Sequence, residues 1–358
     1  MSIIDLQHVH EERCGLAAPS HMAQGPLMTG LAHLQAWLAD DMEELDVAIR
    51  SSYGITKTGV LKSKVGQAAQ YIMHLPGKRI RPLCVLLGAR VGGRMLDQTV
   101  KDMAAVVEMV HAATLLHDDV LDEGTSRRGA PAARLVFGNP ASVLGGDLLL
   151  LNAMRIVERS DDRRLLEHLI DTMEEMICAE SIQLDLRGTF DTDREAYLQV
   201  IQGKTAGLFR WAFTAGGTVG GMSDEEIVTL GNIGNAIGLG FQLMDDLLDL
   251  SGDATLLGKE PLADLRDGKL TWPYIIAAER DPNVLELVKN FVSMSEDGRE
   301  VSATPVIQSL KATGALRDTQ IFAEEQGKNA RAWLMSLPAS QARDAIEIVI
   351  NAAINRNT

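Results

Sequence analysis

Apolar residues recur at helical spacing through almost the whole chain. Leu31, Leu34, Leu38, Leu45 and Ile49 share one face, with Asp40, Asp41, Glu43 and Glu44 on the other, which predicts an amphipathic helix. Gly54 to Gly59 breaks it, a second helix runs to about His74, and Pro76-Gly77 marks a turn. Pro82 suits a helix start, and Leu83 to Ala89 continues as an apolar helix. Met103 to Val107 is too apolar for a solvated face, so its helix is expected to be buried for much of its length. Further helices are expected from Pro140, over 161–188 and around Gly203-Lys204-Thr205. Ser223 and Glu226 form a capping box that opens a helix through Ile227, Leu230, Ile237 and Phe241. Beyond 283 the pattern predicts helices at Val284 to Val288, Leu310 to Phe322, Ala330 to Leu337 and, after Pro338, Gln341 to Ile354. Long Val/Ile/Thr alternations are absent, so the expected class is all-α, a single large helical bundle.

Two of these helices end in acid. HAATLLHDDVLD places Asp118, Asp119 and Asp122 in a DDxxD cluster, with Asp118 and Asp122 one turn apart on the same face and His111 two turns back. Two carboxylates about 5 Å apart repel by roughly 3 kcal/mol at an effective dielectric of 20. Water or a cation must relieve that. GFQLMDDLLDL repeats the pattern with Asp245, Asp246 and Asp249, preceded by Gln242. A solvated helix end explains one such cluster. It does not explain two, each closing an apolar helix. All-oxygen ligands point to a hard ion such as Mg²⁺, and two facing clusters would clamp several ions on a diphosphate.

The net charge of −15 excludes nucleic acid as a partner class and suits a soluble, cytoplasmic protein. Hydrophobic content of 46% is ample for a sizeable core, and aromatics are only 4%. Cys14, Cys84 and Cys178 form no CxxC and read as free thiols in a reducing compartment. No apolar run approaches a membrane span, and residues 1–25 lack a signal pattern and read as a flexible extension before one domain at 26–358. His8, His10 and His21 are poorly spaced for a metal site. Lys78, Arg79 and Arg81 precede a buried helix, either as solvated punctuation or as an anion site.

From about residue 60 to the C-terminus, these words resemble the trans-isoprenyl diphosphate synthases, or polyprenyl synthetases. The resemblance implies the isoprenoid synthase fold, with the bundle built around a central cavity. It implies Mg²⁺, three ions per site with substrate bound, held by Asp118, Asp122 and Asp245, with Asp119, Asp246 and Lys204 also catalytic. GKRIRP matches the family signature whose lysine and second arginine grip isopentenyl diphosphate; Lys78 and Arg81 take this role, joined by His111 and Arg128. Arg127, Lys204, Thr205, Lys259 and Lys269 match residues on the allylic diphosphate, and Gln242 joins the substrate-binding set. Glu180 and Gln183 fall on the helix that faces the metal-bound diphosphate, Gln183 in the place of a family glutamine. The family often has Gly where this chain has Leu262, and Leu where it has Trp272, two uncharged departures that bear on the shape of that loop. A homodimer is expected by analogy.

The implied reaction is departure of diphosphate from an allylic carbon and attack by the double bond of isopentenyl diphosphate. The growing tail should run along the first acid-bearing helix. A helix rises about 1.5 Å per residue, so each turn takes about one isoprene unit of roughly 5 Å. In the family an aromatic floor one turn or so above the first Asp stops short products; here those places are Ala113 and Thr114, with Met109 deeper. The sequence is similar to long-chain synthases of quinone side chains, so a product of about eight units from a farnesyl or geranylgeranyl primer is expected. The alternatives are a short-chain (farnesyl or geranylgeranyl) synthase and a terpene cyclase. A cyclase would not need the Lys78, Arg81 and His111 set.

Overall fold

The computed structural model describes residues 34, 36–52, 62–160, 162–250, 262–296 and 301–355. The N-terminal extension, Cys14, the N-terminal histidines and Lys259 lie outside the described residues. In chain order the first helices are α1 (Ala39–Ser52), α2 (Lys64–His74), α3 (Ile80–Val91) and α4 (Gln98–Leu121). A hairpin follows, pairing β1 (Ser126–Arg127) antiparallel with β2 (Ala130–Pro131). Next come α5 (Ala133–Phe137), α6 (Asn139–Glu158), α7 (Arg163–Leu186) and α8 (Arg194–Ile201). A π-helical turn at Gln202–Ala206 leads into α9 (Gly207–Val219) and α10 (Asp224–Asp249). The chain closes with α11 (Ala263–Arg266), α12 (Trp272–Arg280), α13 (Asn283–Glu296), α14 (Thr304–Ala312), α15 (Ala315–Leu334) and α16 (Gln341–Ile354).

The all-α bundle expected from the sequence is the fold observed. Local chemistry sets its helix starts. The Asp97 carboxylate accepts the Val100 N–H at 3.0 Å to open α4. The Ser223/Glu226 capping box opens α10. Val106, Val107, Met109 and Val110 of α4 are all buried, because α3, α6 and α9 surround that helix. α10 lies between α9 and α15. At Gly216 of α9 a Cβ would stand 2.3 Å from the Val85 carbonyl oxygen of α3, so those helices cross backbone to backbone.

Two sequence expectations need correction. Leu310 to Phe322 is not one helix, because Gly314 at φ 75° ends α14 and starts α15. No such break separates Phe322 from Ala330, and α15 runs through both. The apolarity of α6 and α10 also exceeds the sequence reading. Both are long and apolar enough by composition to cross a membrane, yet 50% and 61% of those stretches are buried inside the bundle. Cys84 is buried and Cys178 exposed, both as free thiols, and burial pushes the Cys84 thiol up to about 12.

Candidate active site

The last turn of α4 sends its three carboxylates to two places. Asp118 faces Lys204, with Nζ 3.7 Å from Oδ2. Asp122, at the C-cap of α4, accepts Lys269 Nζ at 2.8 Å and Arg187 Nη1 at 3.3 Å. Asp119, grouped with them by the sequence, is turned away from both. Successive helical residues differ by about 100°, so Asp119 turns into the core at 0% exposure. There it accepts Arg127 Nε at 3.0 Å and Nη2 at 2.5 Å. Arg127 therefore holds the hairpin to α4.

Burial raises the Asp118 carboxyl above its usual value; Glu180 and Asp122 push the same way, against Lys204 and Lys269. Burial also works to raise Asp122, but the Lys269 hydrogen bond and the charges of Lys269, Lys204 and Arg187 hold it below the usual range.

The second cluster divides its labour too. Asp246 is buried, accepting the Tyr197 hydroxyl and, at 3.1 Å, Gln242 Nε2. Burial pushes its carboxyl well above the usual range, and the Asp264 and Asp245 charges add to that. Asp249 accepts the backbone N–H groups of Ala263 at 3.0 Å and Asp264 at 3.4 Å, tying the following segment to α10. Asp245 stays half-buried beside it.

The π-helical turn links the clusters. A Cβ at Gly203 would come within 2.5 Å of the Glu175 carbonyl oxygen, so the turn packs directly against α7. Lys204 there donates to Glu180 and, at 2.7 Å, to Gln183 Oε1. Thr205 Oγ1 donates to Gln242 Oε1 at 2.9 Å. Lys204, Thr205, Gln183, Gln242, Asp246 and Lys269 line one cavity of about 180 Å³. Ala113 and Met109 are fully buried on α4 and do not line it; Thr114 donates its hydroxyl to the His111 carbonyl at 2.8 Å.

A second constellation lies where α3 begins. Arg81 stacks over the Phe209 ring at 4.5 Å, with its buried Nε lacking a hydrogen-bond partner among the described residues. Arg128, on a left-handed residue at φ 52°, reaches Glu108, Nη2 to Oε1 at 3.6 Å. Its guanidinium lies over Gly77, where a Cβ would sit 2.8 Å from Nη1. Burial drives the His111 imidazole well below its usual value, and the charges of Arg81, Arg128, Arg127 and Arg79 push the same way. Lys78 is exposed at the edge. Arg79 faces inward, to Glu108, to Asp46 at 3.0 Å and to the Met73 carbonyl at 3.1 Å. Arg81 also feels the charge of Asp245, which links this site to the second acid cluster.

Sequence reasoning missed Glu108, Arg187, Tyr197 and Asp264. Glu108 carried a signal: it is one acid inside the apolar run from Met103 to Val110. Tyr197 and Arg187 carried none, because only tertiary packing brings them in. Of the two departures, Trp272 stacks on Phe322 with ring centroids 5.1 Å apart. Leu262 is fully buried at φ 61°, its N–H donating to the Asp249 carbonyl at 3.0 Å. It occupies a left-handed conformation that glycine would take without the roughly 1–2 kcal/mol penalty.

The donor set fits a divalent ion shared with substrate. No group of three or more protein ligands is assembled among the described residues. Mg²⁺ takes one or two carboxylates and completes its shell from phosphate and water. Asp118, crowded by Glu180 and Asp122, is a carboxylate that a cation would relieve.

Comparison with known proteins agrees. The polyprenyl synthetase family model matches residues 62–308. An octaprenyl diphosphate synthase from Escherichia coli (strain K12) is 36% identical over 294 residues, 82% of this chain and 90% of that protein. A short chain isoprenyl diphosphate synthase from Methanothermobacter thermautotrophicus is 31% identical over 320 residues, 88% and 96% of the two chains. The crystal structure of a polyprenyl synthase from Caulobacter crescentus CB15, complexed with calcium and isoprenyl diphosphate, superposes with a TM-score of 0.80. It is 31% identical, and the match covers 94% of this chain and 100% of that one. With one cavity whose Lys204 and Lys269 reach the first carboxylate cluster and whose wall includes Asp246 of the second, a basic site nearby and this breadth of similarity, the chain belongs to the polyprenyl synthetase family.

Proposed function

We propose that this family member condenses isopentenyl diphosphate with an allylic diphosphate, farnesyl or geranylgeranyl, to a long all-trans polyprenyl diphosphate. The observation that carries the reading is the pairing of Lys204 with Asp118 and of Lys269 with Asp122 at one cavity. Cations and carboxylates at that mouth suit a diphosphate that arrives with metal. Asp118, Asp122 and Asp245 would hold Mg²⁺, three ions per site with substrate bound. When bound, the metal supplies charge neutralisation for the leaving diphosphate. Lys204, Thr205 and Lys269 would orient the allylic diphosphate, and the fixed charges of the two lysines favour the departing anion over the bound ester. Lys78, Arg81, His111 and Arg128 would hold isopentenyl diphosphate beside it, with neutral His111 donating a hydrogen bond. The released diphosphate is the base that takes the final proton. Buried Val106, Met109 and Ala113 keep water from the tail.

The long product is favoured by α4, which has no aromatic residue, and by the higher identity to the octaprenyl enzyme of the two relatives compared. A homodimer is favoured by exposed Ile170, Ile177 and Leu184, seven residues apart along α7, and by exposed Val143, Leu144 and Leu151 on the neighbouring α6. A cytoplasmic location accords with soluble substrates and the acidic surface. The test is diphosphate release from farnesyl diphosphate and Mg²⁺, with and without isopentenyl diphosphate. Release that requires isopentenyl diphosphate supports condensation. Release without it favours a cyclase.

A further inference from the structure

Three guanidinium groups brought together away from bulk water need a counter-charge. Arg79, buried, and Arg81 and Arg128, half-buried, crowd together here, and the charges of Arg79 and Arg127 bear on Arg128 as that of Arg128 bears on Arg81. The carboxylate that reaches two of them is Glu108. It is 3% exposed on α4, inside the apolar run, one turn before His111. It accepts Arg79 Nη1 and lies 3.6 Å from Arg128 Nη2, and its charge favours Arg81 as well.

The three arginines are engaged to different degrees. Arg79 sits on a left-handed backbone at φ 49° and directs its donors to Glu108, Asp46 and the Met73 carbonyl. It pins the turn from Gly77 to Arg81 and has little left for a ligand. Arg81 keeps a buried Nε with no hydrogen-bond partner among the described residues while Phe209 fixes its plane. Arg128 stands off Glu108 at more than hydrogen-bond length, close over Gly77. Glu108 therefore reaches Arg128 without saturating it, and reaches Arg81 through Arg79 and the turn between them. A carboxylate would repel a diphosphate directly, so any contribution it makes must pass through the arginines.

We propose that Glu108 is a positioning residue for isopentenyl diphosphate. Through Arg79 it fixes the turn that carries Lys78 and Arg81, and through its charge it sets Arg128 with donors open to the diphosphate. This rests on reading the basic cluster as the isopentenyl diphosphate site.

The test is steady-state kinetics in each substrate separately for Glu108→Gln, with Glu108→Asp as the conservative variant. The expected result is a KM for isopentenyl diphosphate raised about tenfold, equivalent to about 1.4 kcal/mol, with the allylic KM within about twofold. Glu108→Asp should fall between Gln and wild type. If Glu108→Gln does not fold, Arg79→Met with Glu108→Leu carries the test. That pair removes both charges together, which buried sites often tolerate, and the same selective rise is expected because Arg128 loses its holder. An isopentenyl diphosphate KM equal to or below wild type in a folded variant overturns the proposal, as does an equal rise in both KM values. Wild-type enzyme that shows no saturable use of isopentenyl diphosphate overturns the reading of the site itself, whatever the variants do.

Discussion

Lys269 and Asp122 are 147 residues apart in the chain, and their Nζ and Oδ2 atoms lie 2.8 Å apart. The contact depends on Arg187, whose Nε donates to the Asp267 carbonyl at 2.8 Å and whose Nη1 donates to Asp122. The end of α7 thus carries the Lys269 loop onto the end of α4. Lys269→Ala removes one fixed charge at the allylic mouth. The expected outcome is a kcat lowered by about 100-fold, the scale for a lost preorganised donor, with the isopentenyl diphosphate KM near wild type. Initial-rate measurements check it.

Product length should answer to Ala113. It is fully buried on α4, one helical turn before His117 and Asp118. Ala113→Phe fills the path of the growing tail and should shorten the dominant product by several isoprene units, because each turn of about 5.4 Å takes about one unit. Sizing the dephosphorylated products decides this. An unchanged distribution contradicts the placement of the tail along α4.

The pH response of stability should carry a His111 signature. The fold holds this imidazole neutral, with its proton affinity well below the usual value near 6.5. Above about pH 6.5 both folded and unfolded states are neutral there, and no difference arises. Below it the unfolded chain takes a proton that the folded state refuses, so stability falls as pH drops toward the depressed folded value. Relative to His111→Gln, wild type should lose about 1.4 kcal/mol per pH unit in that window. Denaturant titrations at a series of pH values measure it. A constant difference between about pH 5 and 8 contradicts the assignment.

Ile177, 67% exposed at the centre of the α7 stripe, tests the homodimer. Ile177→Lys places a charge in the apolar seam, where wild-type chains should self-associate. Wild type should sediment as a dimer and the variant as a monomer. A monomeric wild type contradicts the assignment of this face.

Much of this architecture was legible in the chain. The Ser223/Glu226 box, the apolar run into Asp118 and the repeated acid clusters each follow from spacing that local physics imposes. Spacing failed where one motif splits its residues between faces. Asp119 adjoins Asp118 in sequence but turns to Arg127, and Asp249 serves as a cap for Ala263 and Asp264. Tyr197 reaches Asp246 from a different helix, with no local pattern to announce it. Leu262 shows the reverse. The sequence flagged it as unusual, but only the backbone reveals that a buried leucine holds a left-handed turn, where burial of roughly 1.5–3 kcal/mol can offset the strain.

The central claim is that two acid clusters and one basic site together elongate a prenyl chain. The most direct measurement incubates the protein with Mg²⁺, farnesyl diphosphate and labelled isopentenyl diphosphate, then sizes the dephosphorylated products. The account predicts a ladder ending in one dominant long product of about eight units, on the helix-rise estimate, and none when Mg²⁺ is withheld. Diphosphate released from farnesyl diphosphate with no label entering any longer chain would contradict it.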